Sequence, residues 1–379
     1  MYRLKKALYG LKQAPRAWYS RIDKYLHDHG FIKCSCESVV YKKVIGSNFV
    51  IFCLYVDDII FMGTSISLVK EFKEEMKSEF EMSDMGEMLY FLGLQIRQTA
   101  AGISICQTKY VEDMLRRFNM QNCKAVSTPL VVGSKLMKVD ESPLCDATLY
   151  RSMVGSLMYL TTTRPDIMFS VSLVARFMNQ PHESHWQAAK RILRYVSGTR
   201  FFGLFYNATN DINVIAYTDA DWAGSLDDRR STSGYAFLFG GNLVSWSSKK
   251  QPTVALSTAE AEYIAASSTS TQAIWMARLL EELGMEIGKP IKVYCDNQST
   301  ISMTKNPVFH NRTKHIDIRH HFIRELVQQE FLFFEFCKSE DQLADIFTKA
   351  LPKDRLETLR SQLGILKLDI KGEIEGINA

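Results

Sequence analysis

The sequence has no long apolar run, no dense cysteine set and no large charge of one sign, and each absence removes a class of protein. Its longest apolar stretch, Phe49–Val56, is stopped by Asp57 and Asp58. That is far short of the roughly 20 residues a membrane helix needs, so no membrane partner is expected. The first residues are basic and hold no uncharged apolar segment, so no secretory leader is expected either. The 8 cysteines are scattered, and only Cys34 and Cys36 are close. One residue between them is the wrong spacing for a zinc knuckle pair, so all are read as reduced thiols of an intracellular protein, in the cytoplasm or the nucleus. A net charge of +4 on 379 residues neither demands nor excludes nucleic acid. With 46% hydrophobic residues the chain can fill roughly two or three ordinary cores, and nothing points to disorder.

The charge that is present is uneven. Residues 1–24 carry Arg3, Lys5, Lys6, Lys12, Arg16, Arg21 and Lys24 against the single acid Asp23. A second run from Lys305 through Arg312, Lys314 and Arg319 to Arg324 is interleaved with His310, His315, His320 and His321. Either run can be a solvated face or a phosphate contact. After Pro15 the positions Trp18, Ile22, Tyr25 and Leu26 keep helical spacing, so a basic loop feeds an amphipathic helix that ends near Gly30. Such a loop beside aromatics suits a nucleic-acid backbone and stacked bases, with Trp18 in an ordinary core as the alternative.

Residues 49–63, FVIFCLYVDDIIFMG, read as a β-hairpin whose tip displays Asp57 and Asp58. The two acids either make a turn or repel each other until a cation neutralises them. Residues 126–148 lack any period and hold Pro129, Gly133 and Pro143, the mark of a linker, and residues 149–199 return to helices broken at Pro165. From about residue 211 three strands, a helix, a strand, a helix, a strand and a final helix over DQLADIFTKAL follow in order, the sequence of elements in the ribonuclease H fold. Asp219, Glu262, Asp296 and Asp345 fall at ends of these elements. Glu260 and Glu262 stand about 200° apart on a helix, so only one faces the sheet edge, and Asp341 competes with Asp345 one turn away.

Three motifs in order, YGLKQAPRAW, YVDD and YFLGLQI, resemble the reverse transcriptase of copia-type long-terminal-repeat retrotransposons, and the resemblance extends from about Arg3 to Ile365. It implies a mixed α+β chain: a partial reverse-transcriptase palm with its primer-grip region over 1–125, a linker over 126–148, and helical connection over 149–210. A ribonuclease H-like domain with a mixed five-stranded sheet and flanking helices would fill 211–352, and a tail of unassigned role 353–379. By the same resemblance Asp57 and Asp58 are polymerase metal ligands, and Lys12, Gln13, Arg16 and Trp18 position template and nucleotide. Lys314, His315 and Arg319 are expected to contact nucleic acid.

The family's further palm aspartate has no counterpart in this sequence, so polymerisation by this chain alone is not expected. AEY selects Glu262 over Glu260, and LADIF selects Asp345 over Asp341. The resemblance implies that Asp219, Glu262, Asp296 and Asp345 hold two magnesium ions, with manganese as a substitute, and cleave the RNA of an RNA–DNA hybrid. An RNA template, a DNA primer and other parts of the polyprotein are the implied partners. The histidine-bearing loop of cellular ribonucleases H is absent before Asp345, and His315, His320 or His321 could supply a proton shuttle or serve structure and substrate contact instead. The rival expectation is a retroelement remnant that folds or binds nucleic acid without activity.

Overall fold

Pro15 stands where a helix begins, because the first turn has no use for its missing N–H, and α1 runs Ala14–Asp28 from there. The computed structural model describes residues 10–305 and 317–368. Contacts divide the chain into two units, residues 1–87 with 274–287, and residues 88–273 with 288–379. In the first, β1 (Ile32–Lys33), β2 (Val40–Ile45), β3 (Asn48–Tyr55) and β4 (Asp58–Gly63) form an antiparallel sheet in chain order, followed by α2 (Ile66–Glu79). Alternation along β3 buries Val50, Phe52 and Leu54 against Ile22 and Leu26 of α1 and Phe72 and Met76 of α2. The expected hairpin is present, with Tyr55 opposite Asp58.

The second unit opens with β5 (Tyr90–Phe91), β6 (Leu94–Thr99), β7 (Gly102–Cys106) and α3 (Thr108–Arg117). Residues 118–146 hold neither helix nor strand, yet they are tied down: Thr128 accepts from Arg191 at 2.9 Å, and Asp140 accepts from Ser142 and Ser184. Asp146 then caps α4 (Ala147–Leu160) by accepting from the N–H groups of Thr148 and Leu149. A 3₁₀ turn (Pro165–Ile167), α5 (Met168–Ala175), α6 (Glu183–Gly198) and β8 (Phe202–Asn207) follow.

Next come β9 (Val214–Ala220), β10 (Thr232–Phe239), β11 (Asn242–Lys250) and α7 (Thr258–Glu282). They lead to β12 (Ile291–Cys295), α8 (Gln298–Lys305), α9 (Asp317–Gln328) and β13 (Leu332–Phe336). The sheet order is β11-β10-β9-β12-β13, antiparallel over the first three strands and parallel over the last three. The strands come in the order that the periods imply, and they form the mixed five-stranded sheet that the resemblance implies. The chain is thus a mixed α+β protein.

Two features depart from the sequence reading. DQLADIFTKAL is not a helix but two 3₁₀ turns, Ser339–Asp341 and Leu343–Phe347. Gln342 between them is extended, and its buried side chain donates to Thr218 O at 3.0 Å and accepts from Ala344 N at 3.1 Å, replacing the backbone bonds a continuous helix would make. The tail also continues in order, as α10 (Lys353–Gln362) and β14 (Ile365–Lys367), and β14 completes a second sheet, β14-β8-β7-β6-β5. Strands from 90–106, 202–207 and 365–367 therefore share one sheet.

Candidate active site

The buried run of β9 carries a carboxylate into its own interior, because Asp219, only 2% exposed, lies opposite Gly234 of β10. Gly234 is a positional requirement: a Cβ there would sit 2.7 Å from Phe347 Cβ and 2.8 Å from Thr348 Cγ2. Its bare backbone lets the 343–348 segment close onto the sheet beside Asp219. Thr348 donates its hydroxyl to Asp219 Oδ2. The same segment brings in Asp345, whose carboxylate pairs with Lys349 Nζ at 2.6 Å and Arg355 Nη2 at 3.2 Å. Lys349 Nζ also lies 3.7 Å from Asp219 Oδ2, so one ammonium stands between two buried carboxylates.

On the other flank, α7 delivers Glu262 and the end of β12 delivers Asp296. Ligand atoms of Glu262, Cys295 and Asp296 lie within 4.8 Å of one another. Ser339 orients Asp296 by donating to Oδ2 at 3.0 Å. Burial, with Asp219 and Asp296 adding to it, pushes the Glu262 carboxyl well above the ordinary range, and its buried Oε2 has no hydrogen-bond partner. Burial lifts Asp219 to about 6 against the pull of Lys349, with Asp345 and Asp296 raising it further. Lys349 is held above its usual value: burial opposes this, but the Asp219 and Asp345 carboxylates outweigh it. The Cys295 thiol is also pushed well up by burial, so Cys295 is a neutral neighbour of these acids.

All four carboxylates named from the sequence thus gather at one edge of the mixed sheet. Glu260 is buried as well, but its Oε2 accepts from Leu256 N, closing the start of α7. Asp221 closes the β9–β10 loop by accepting from Thr232 N and faces Arg176. Gln342, Thr348, Lys349 and Arg355 went unnoticed in the sequence. The TK dipeptide, separated from LAD by Ile346 and Phe347, was the one available sign of them. Oxygen donors of this number, with like charges crowded, Glu262 Oε2 unpaired and Asp345 Oδ1 met only by the Lys349 ammonium, suit hard divalent cations.

The other candidate residues are placed separately. Asp57 and Asp58 are exposed at the β3–β4 turn, where Val56 takes φ +56°. Among the described residues no third metal-ligating side chain gathers with them. Lys12, Gln13 and Arg16 are exposed at the start of α1. Trp18 packs edge-on against Phe80 and donates its indole N–H to Val56 O at 2.6 Å, so it braces the aspartate turn. Arg319 is half-buried on α9, while Lys314 and His315 lie outside the described residues.

Residues 1–132 match the family of reverse transcriptases, RNA-dependent DNA polymerases. The retrovirus-related Pol polyprotein from transposon RE1 of Arabidopsis thaliana is 42% identical over 97% of this chain and 25% of its own length. The Pol polyprotein from transposon TNT 1-94 of Nicotiana tabacum is 43% identical over 96% of this chain and 28% of its own. The chain belongs to the copia-type retrotransposon Pol family. This Pol chain spans about a quarter of the length of those two relatives. Among solved structures, the LC11 ribonuclease H1 isolated from compost aligns with 39% of this Pol chain and 97% of its own, at 16% identity and a TM-score of 0.28.

Proposed function

We propose that this Pol chain hydrolyses the RNA strand of RNA–DNA hybrids with divalent cations held by Asp219, Glu262, Asp296 and Asp345. The observation that carries the proposal is their convergence from four separate elements, with Glu262 Oε2 buried and unpaired among them. A site built only for packing would not crowd four carboxylates together and leave the buried Glu262 Oε2 without a partner, because an unsatisfied buried polar atom costs free energy. Bound in pairs, magnesium or manganese ions would supply Lewis-acid stabilisation and an activated water for in-line phosphodiester displacement.

The chain's own residues have distinct tasks. Thr348 fixes the Asp219 carboxylate, Ser339 fixes Asp296, and Arg355 steadies Asp345 from the protein side. RNA would be distinguished from DNA by its 2′-hydroxyls and groove shape. Lys12, Gln13, Arg16 and Trp18, with Lys314, His315 and Arg319, are proposed contacts to the hybrid or to template and primer. The division into a reverse-transcriptase part, linker, connection and nuclease part belongs to the same proposal, as does an intracellular setting, in keeping with the free thiols of all the cysteines. Asp57 and Asp58 are proposed as polymerase ligands in the context of a longer polyprotein.

The test is magnesium-dependent cleavage of a labelled RNA strand in an RNA–DNA hybrid by the full chain, beside Asp219→Asn. Cleavage that falls by at least about 10²-fold in the variant is expected. No cleavage by the folded chain would overturn the nuclease proposal and favour a remnant that binds nucleic acid without activity.

A further inference from the structure

The two flanks of the acidic cluster are built differently. On one, Glu262, Cys295 and Asp296 face one another, among the described residues no cation is ion-paired with them, and Glu262 Oε2 is left unpaired. On the other, Lys349 Nζ lies 2.6 Å from Asp345 Oδ1 and 3.7 Å from Asp219 Oδ2. Its charge occupies the space between two carboxylates that are themselves almost wholly buried.

We propose that Lys349 is a resident counter-ion that holds the Asp219–Asp345 half of the cluster in the ion-free protein and must swing out before a divalent cation enters there. This rests on the reading of the four acids as ion ligands and deepens it: the two halves fill in order, the Glu262–Asp296 half first.

Three observations support the assignment. Lys349 belongs to the segment that carries Asp345, four residues on, so its charge is delivered by the same short stretch of chain as the ligand. Its side chain is 46% exposed, so a path to solvent is open, and a flexible four-carbon stem can follow it. Arg355, the other cation on Asp345, has no such freedom. Its guanidinium also donates to the carbonyls of Ser339, Glu340 and Gln342, which fix it as part of the frame. Among the described residues the ion-pair partners of Lys349 are the two carboxylates alone.

A cation entering this half therefore competes with an existing positive charge, whereas among the described residues no ammonium or guanidinium is paired with the acids of the other half. The competition lowers affinity there and keeps the buried carboxylates neutralised until substrate and ions arrive together. A freed ammonium beside the site can then pair with a phosphate of the bound strand, so the charge that leaves the acids is not stranded.

The test is calorimetric titration of the full chain with manganese, in the absence of nucleic acid, for the wild type, Lys349→Met and Lys349→Arg. Wild type and Lys349→Arg are expected to show a tight site and a weaker one. In Lys349→Met the weaker site should tighten by about tenfold or more, as loss of a competing charge a few ångströms away requires. Lys349→Gln gives the same comparison should the methionine variant fold poorly by circular dichroism. A second-site affinity that is unchanged or weakened in Lys349→Met, or no ion uptake by either protein, would overturn the proposal. A tightened second site in a chain that cleaves no hybrid would leave it standing and overturn the nuclease reading alone.

Discussion

Asp219 shows in one residue what the site costs the fold. Burial beside Asp345 and Asp296 holds its carboxyl near 6, against 3.8 for the ordinary group, even with Lys349 and Thr348 favouring the charge. Between those two values the folded chain binds more protons than the unfolded one, so this residue's contribution to stability falls as pH rises through the window and stays low above it. Asparagine keeps the hydrogen bond from Thr348 and removes the charge. In metal-free buffer Asp219→Asn should therefore melt higher than wild type at pH 7.5, by on the order of 2 kcal/mol, with the gain vanishing towards pH 4. Magnesium at pH 7.5 should reverse the ranking by stabilising wild type alone. Thermal melts at the two pH values, with and without magnesium, check this; a variant that is less stable at every pH would show that Asp219 is a structural residue first.

At the scale of elements, burial of charge is also what organises the helical region. Arg164 and Asp166 flank Pro165, and the 3₁₀ turn folds them together: Arg164 Nε and Nη2 donate to Asp166 at 2.9 and 2.7 Å, and Tyr195 donates at 2.6 Å. Arg164 also reaches Thr199 O at 2.8 Å, which ties the turn to the end of α6. Asp166→Ala leaves a guanidinium buried without its partner and is expected to cost about 3–5 kcal/mol, part of it recovered in the double variant with Arg164→Met. Urea midpoints of the three variants measure this, and a loss below about 1 kcal/mol would place the network's weight elsewhere.

The same elements show how far a sequence can be read. Period-2 strands and the long helix α7 were legible, and with them Asp219 and Asp296, which sit where an apolar strand stops, whereas Glu262 and Asp345 were selected over Glu260 and Asp341 only by the family resemblance. RPD was legible only as a break, since nothing in three residues says that both charges will be buried. The 3₁₀ path through Asp345 was hidden by LADIF, which has a helical apolar pattern, and depends on Gln342 reaching Thr218 across 124 residues. β14 was hidden for a simpler reason: 3 residues are too few to show a period, and its partner β8 is remote in the chain.

At the scale of the molecule, that short strand ties the segment after Pro352 into the second unit. Residues 353–368 bury Leu356, Leu359, Leu363, Ile365 and Leu368, and Arg360 lies 4.0 Å over the Phe202 ring and donates to Tyr195 at 3.1 Å. At about 1.5–3 kcal/mol for each apolar side chain buried, burial of these five is worth roughly 7–15 kcal/mol before the entropy of ordering the segment is subtracted. The hydrogen bonds of β14 to β8 join it to a sheet whose other strands lie between residues 90 and 106, and Leu356, Leu359, Leu363 and Ile365 share one core with Ala236, Leu238 and Leu243 of the mixed sheet, so both sheets lean on one C-terminal segment. A chain ending at Pro352 keeps all four site carboxylates and should still lose cooperative melting and hybrid cleavage, whereas one ending after Leu368 should match the full chain. Circular dichroism melts of the two truncations separate the cases. A chain ending at Pro352 that melts within a few degrees of wild type would mean that the strands from 211 onward fold without the second sheet, and that the nuclease is the self-contained unit its linear pattern of elements suggests.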